Sequence, residues 1–247
     1  MRILIFLILI LTFQLNSAYA ERVKPTFKQS LSLNGIVGQP SDVEFSPDGT
    51  KVFILSFANE RIKEFSLSIP FNISTINTSS AVTLNLNSGD DAQSSQVQGM
   101  SFNNDGTKIF TVLSSSNSRS MAVHSLATPY DLSSVTQDAD DGINWKTYLN
   151  TISNMRDIEF NNDGTKMYMI DAWGNEEVIE YHLSTPYLPS SATLGHVFDL
   201  EDVNSQVLQD FEFDDDGTRM YLIESNIGAG NYDIYVYKIS RAFDLST

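Results

Sequence analysis

The sequence predicts an all-β fold of four successive four-stranded antiparallel sheets, and three observations predict it. The phrase Phe-x-x-Asp-Gly-Thr-(Lys/Arg) occurs four times, as Phe45–Lys51, Phe102–Lys108, Phe160–Lys166 and Phe213–Arg219. Its aspartates, Asp48, Asp105, Asp163 and Asp216, lie 57, 58 and 53 residues apart, and a near-constant period is the mark of a repeat architecture. A second phrase recurs behind each copy of the first: Pro70–Ser74, Pro129–Ser133, Pro186–Ser190 and Ala242–Ser246. Between the phrases lie short alternating or β-branched runs with strand periodicity.

The elements of each repeat follow in order. The first strand alternates into the motif phenylalanine: Asp42–Phe45, Gly99–Phe102, Asp157–Phe160 and Asp210–Phe213. Asp-Gly then reverses the chain, glycine supplying the positive φ of a tight hairpin. The second strands are rich in β-branched and aromatic residues: Lys51–Leu55, Lys108–Val112, Lys166–Ile170 and Arg219–Ile223. Third strands are expected at Ile62–Ser68, Met121–Ala127, Val178–Ser184 and Ile234–Ser240, and fourth strands at Ala81–Asn87, Asn144–Asn150 and Thr193–Leu200. Four antiparallel strands per repeat describe the blade of a β-propeller. The last repeat has no fourth strand of its own. A surplus strand at Phe27–Leu33 is therefore expected to complete it, closing a monomeric ring of four blades over 21–247 and removing the sheet edges. Two chains sharing one eight-bladed ring is the alternative.

The segment Phe45–Lys51, followed by Val52-Phe53, resembles the blade repeat of TolB-type (PD40, WD40-like) propellers. It is also similar to the repeat of secreted lactonase-like and YVTN-type propellers. The resemblance extends over all four repeats. It implies a rigid scaffold that binds proteins, glycans or small ligands at one face. Those families usually carry six or seven shorter blades, so their activities do not transfer with the fold.

Arg2 precedes an unbroken apolar run, Ile3–Phe13, and then Ala18-Tyr19-Ala20, the pattern of an export leader cleaved before Glu21. Residues 1–20 are thus expected to be removed, leaving a secreted or periplasmic protein with no membrane-inserted segment. The 31 Asp+Glu against 15 Lys+Arg, a net charge of −16, argue against nucleic acid and anionic membrane surfaces as partners. With no cysteine, disulfides, thiolate metal sites and cysteine nucleophiles are excluded.

Chemistry-bearing residues are sparse. His124, His182 and His196 lack metal-ligand spacing, and no nucleophile elbow or phosphate loop occurs. His124 shares its register with Phe65, Tyr181 and Tyr237, which marks it as a substitute for a packed aromatic. The first strand of a blade is innermost, so Asp42, Asp157 and Asp210, with Glu44, Glu159 and Glu212, are expected to line the central channel. Such a set would either take a hard cation such as Ca²⁺ or accept hydrogen bonds from the backbone of the next blade. Gly99 interrupts it. Asp138–Gly142 is half a calcium loop without its distal ligands. At the loop face Trp173, Arg156 and Arg119 are the candidate ligand contacts: an aromatic for a sugar or partner, and two cations for an anion. The expected function is a non-catalytic binding scaffold for a protein, glycan or small molecule that needs no cofactor. A metal-dependent lactonase-like hydrolase is the alternative.

Overall fold

A computed structural model of the chain describes residues 28–57, 59–86, 96–114, 119–136, 143–144, 154–172, 176–200, 208–226 and 231–247. Leu31–Thr247 form one unit, distinct from Met1–Ser30. The first sheet runs β1 (Pro40–Phe45), β2 (Lys51–Ser56), β3 (Arg61–Ser66), β4 (Val82–Asn85). The second runs β5 (Gln96–Phe102), β6 (Lys108–Ser114), β7 (Arg119–Leu126), with β8 (Val135–Thr136) and β9 (Ile143–Asn144) pairing with opposite ends of β7. The third runs β10 (Met155–Phe160), β11 (Lys166–Asp171), β12 (Glu177–Leu183), β13 (Ala192–Asp199), and the fourth β14 (Leu208–Phe213), β15 (Arg219–Asn226), β16 (Asn231–Lys238). All pairs are antiparallel, and the architecture is a four-bladed β-propeller.

The two recurring phrases turn out to be partners. In the first hairpin Asp48 Oδ1 accepts from the Thr50 amide at 3.0 Å and the Thr50 hydroxyl at 2.8 Å, holding Gly49 at φ 67°. The same lock recurs at Asp105, Asp163 and Asp216. The aromatic of the second phrase lies flat over that glycine. Its amide donates to the glycine carbonyl, Tyr187 to Gly164 at 2.9 Å for example, and the aromatic residue itself adopts a positive φ in all four blades. After three of the four aromatics a side-chain-capped turn returns the chain: Asn72, Asp131 and Asp244 accept the amides of Ser74, Ser133 and Ser246, whereas Leu188 after Tyr187 offers no such cap.

Blades pack through apolar seams. Phe53, Leu55 and Ile62 meet Met100 and Phe102; Phe110, Val112 and Met121 meet Ile158 and Phe160; Tyr168, Ile170 and Val178 meet Phe211 and Phe213. Each fully buried large side chain stabilises by about 1.5–3 kcal/mol. An aromatic pair crosses every one of these seams, Phe53–Phe102, Phe110–Phe160 and Tyr168–Phe213, with centroids 4.7, 4.5 and 4.7 Å apart. Two seams also contain a buried acid. Glu64 accepts from the Leu132 amide at 2.7 Å and pairs with Lys51; Glu180 accepts from the Leu245 amide at 2.9 Å and pairs with Lys166 at 2.7 Å. Glu180→Ala is expected to cost about 2 kcal/mol in urea unfolding, since it strands that amide in an apolar seam. A loss under ~0.5 kcal/mol would show that water replaces the carboxylate.

One strand expectation needs correction, and another falls mostly outside the described residues. Residues 28–33 form no strand, and among the described residues the fourth sheet has three strands. The Leu33 carbonyl accepts from the Ile36 and Val37 amides, which turns the segment so that Leu33, Ile36 and Val37 pack on the first sheet. Phe27 lies outside the described residues. The fourth strand of the second blade, expected at 144–150, is represented by β8 and β9, and 145–150 lie outside the described residues. His124 stands opposite Ile109, in the register that Phe65, Tyr181 and Tyr237 occupy.

Candidate functional site

The four first strands, β1, β5, β10 and β14, surround the channel, and each carries the same irregularity. Their pairing with the second strands slips between Pro40 and Asp42, Val97 and Gly99, Met155 and Ile158, and Leu208 and Asp210. A β-bulge re-aims side chains. Here Arg156 and Gln209, immediately before Asp157 and Asp210, and Gln98, immediately before Gly99, border the channel together with Asp210.

At this mouth Arg156 Nη1 donates to Gln98 Oε1 at 3.4 Å and to Gln209 Oε1 at 3.2 Å. Its Nε is buried without a hydrogen-bond partner. No carboxylate lies within ion-pair distance of it among the described residues. Burial holds its pKa below the usual arginine value. The cavity above it, about 430 Å³, is completed by Gln39, Ser41 and Phe57.

Below the mouth lie the expected acids. Asp42 Oδ2 accepts from the Met100 amide of the next blade at 2.7 Å, and Asp157 Oδ2 from the Phe211 amide at 3.4 Å. Gly99 interrupts the set for a steric reason: a Cβ there would sit 2.4 Å from Asp157 Oδ1 and 2.7 Å from the Arg156 carbonyl. Burial, then the charge of Asp210, pushes Asp42 up to about 7. Asp157 is raised well above the carboxylate range by burial, by Asp210 and Asp42, and by a hydrogen bond with Asp210. Glu44 and Glu159 rise through burial and then the charges of Asp42 and Glu212 respectively. The lower end is a second cavity of about 340 Å³ lined by Glu44, Ser101, Glu159 and Glu212. Asp42, Asp157 and Asp210 do border one channel, yet among the described residues no three His, Cys, Asp or Glu side chains form a group that could hold a metal ion.

Of the three loop-face candidates, the structure places Arg156 at the channel mouth. Trp173 and the side chain of Arg119 lie outside the described residues, as does Asp138–Gly142. Gln98 and Gln209 were missed because the position just before Gly99 or a channel acid reads, by strict alternation, as facing the other side. Only the bulge brings it round.

No protein-family model matches the chain, and no curated protein sequence matches it. Solved structures do. A Bacteroides fragilis protein described as a 6-phosphogluconolactonase superposes with a TM-score of 0.51 at 15% identity, over 79% of this chain and 52% of its own. The periplasmic gluconolactonase of Pseudomonas aeruginosa gives 0.46 at 11%, over 81% and 57%. The C-terminal WD40 domain of Sif2 gives 0.43 at 15%, over 83% and 47%. The chain thus spans about half the length of these proteins. At such identities the likeness is one of fold: a β-propeller with WD40-like repeats.

Proposed function

We propose that this protein is an exported, non-catalytic propeller that binds a small hydroxylated carboxylate, of the sugar-acid class, at the Arg156 mouth. The observation that carries this reading is a half-buried guanidinium held by two amide oxygens in a protein of net charge −16, with its Nε buried and unpartnered. Guanidinium is the donor suited to carboxylate. Gln39, Gln98 and Gln209 supply amides for hydroxyls, and Phe57 an apolar surface for a sugar ring. Trp173 and Arg119, if their loops reach this end, would extend the site. Residues 1–20 would deliver the protein to the periplasm or the exterior, where no cofactor is required for binding.

Thermal unfolding with D-galacturonate and D-gluconate tests this directly. Ligand at 100 times its dissociation constant adds about 2.7 kcal/mol, which raises Tm by several degrees. The rise is expected for the acids, absent for the neutral sugars, and lost in Arg156→Gln. A response to no carboxylate, or one that survives Arg156→Gln, overturns the site. Hydrolysis of the corresponding lactones that stops with EDTA and in Asp157→Asn replaces the binding role with the hydrolase reading.

A further inference from the structure

The cavity above Arg156 is bordered by an anion as well as a cation. Its wall includes Asp210 on β14, one residue beyond Gln209, whose amide oxygen accepts from the guanidinium. Among the described residues Arg156 and Asp210 form no ion pair, although they border the same space. Opposite charges that share a half-enclosed cavity without meeting are complementary to a ligand that carries both.

Asp210 differs from the other two channel aspartates in what it is committed to. Asp42 and Asp157 each accept an amide of the next blade, that of Met100 and that of Phe211. The amide in the matching position for Asp210 is that of Val43, and it donates to Asp42. Asp210 shares a hydrogen bond with Asp157. Two carboxyls can share one only through a proton, and burial with the neighbouring charges holds that proton on Asp157. The charge of the pair therefore lies on Asp210, at the cavity wall, and after burial it is this charge that raises Asp42.

This second charge bears on what Arg156 can hold. A simple sugar acid would bring its carboxylate to the guanidinium and then face Asp210, in a chain of net charge −16. A ligand with an ammonium beside its carboxylate satisfies both walls and enters without net charge. We infer that the ligand is such a zwitterion, a 2-amino sugar acid whose carboxylate meets Arg156 and whose ammonium meets Asp210. Its hydroxyls then face the Gln39 and Gln98 amides and Ser41. At about 430 Å³ the cavity is within the range that encloses a small ligand. The inference rests on the Arg156 reading and narrows it.

Calorimetric titration of the full chain with D-glucosaminate, D-gluconate, N-acetyl-D-glucosaminate and L-threonine tests it. A charge-assisted hydrogen bond to Asp210 is expected to make glucosaminate bind about ten times more tightly than gluconate. The N-acetylated acid, whose nitrogen is uncharged, should lose that advantage with the protein unaltered. In Asp210→Asn, its fold checked by circular dichroism, glucosaminate and gluconate should bind alike, and Arg156→Gln should abolish binding of both. Threonine, which has the charge pair without the polyol, should bind more weakly than glucosaminate. Equal affinity for glucosaminate and gluconate in the wild type overturns the inference while leaving the Arg156 site standing. A preference that survives N-acetylation or Asp210→Asn does the same. Threonine binding as tightly as glucosaminate overturns the sugar-acid class, and binding of neither acid overturns the Arg156 reading itself and this inference with it.

Discussion

Gly164→Ala is expected to destabilise the protein by about 3 kcal/mol and to lower Tm by roughly 6–12 °C. Gly164 sits at φ 69°, and an L-residue in that region costs about 1–2 kcal/mol. The larger part is contact. A Cβ would lie 2.3 Å from the ring of Tyr187. That ring cannot simply slide, because the Tyr187 amide is tied to the Gly164 carbonyl and the ring packs on Phe160 at 5.3 Å. Strain relief supplies the control: with Tyr187→Ala already present, Gly164→Ala should cost only its backbone share. Urea unfolding of the two single variants and the double variant reads this as a coupling energy. A fully additive pair would mean that ring and glycine are not in contact.

Stability should fall as pH rises from about 4 to about 8. Asp42 is at about 7 in the folded protein against 3.8 unfolded, and Glu44, Asp157 and Glu159 are raised in the same direction. A carboxyl with a raised folded pKa binds more protons folded than unfolded, so its stabilising contribution is complete below the unfolded pKa and disappears as pH passes the folded one. The loss attributable to Asp42 is on the order of 4 kcal/mol. The hairpin aspartates act oppositely and lower down. Asp48 is held at about 2 by Ser46 and Thr50, so its effect is confined to pH below the window concerned. Unfolding free energies at pH 5 and pH 8, for the wild type and Asp42→Asn, check the claim. A wild-type curve that is flat or rising over that span defeats it, and so does an Asp42→Asn curve with the same slope.

Much of the blade was readable because its signals are local. Asp-Gly-Thr encodes a turn within three residues, and alternation encodes the strands it joins. The two phrases could be recognised as conserved companions within the chain, although not as contacts, because the flat seating of Tyr187 on Gly164 depends on a positive φ at the aromatic itself. The alternative reading of the channel acids, as acceptors from the next blade, is realised at Asp42 and Asp157. Gly99 becomes intelligible only with the third blade beside it. Arg156 was found from its charge, while Gln98 and Gln209 were hidden by a one-residue bulge that no period-2 pattern can show. The surplus strand failed for a related reason: an apolar residue such as Leu33 satisfies a strand pattern equally well when the chain turns after it and packs it on a neighbouring sheet.

The hydrogen bonds that join one blade to the next link residues only about one period apart in the chain, such as Asp42 with Met100 and Asp157 with Phe211. This spacing sets an order of assembly. Hairpins locked by Asp-Gly-Thr can form in microseconds, each independent of the rest. Docking of adjacent blades then closes loops of similar, modest length, so the ring can grow from any neighbouring pair. Near-identical hairpins also compete. A hairpin docked one period out of place meets a face built on the same plan, and must separate before the proper neighbour can bind. Refolding should accordingly show a slow phase that dilution of the chain leaves unchanged, arising from undocking rather than from strand formation.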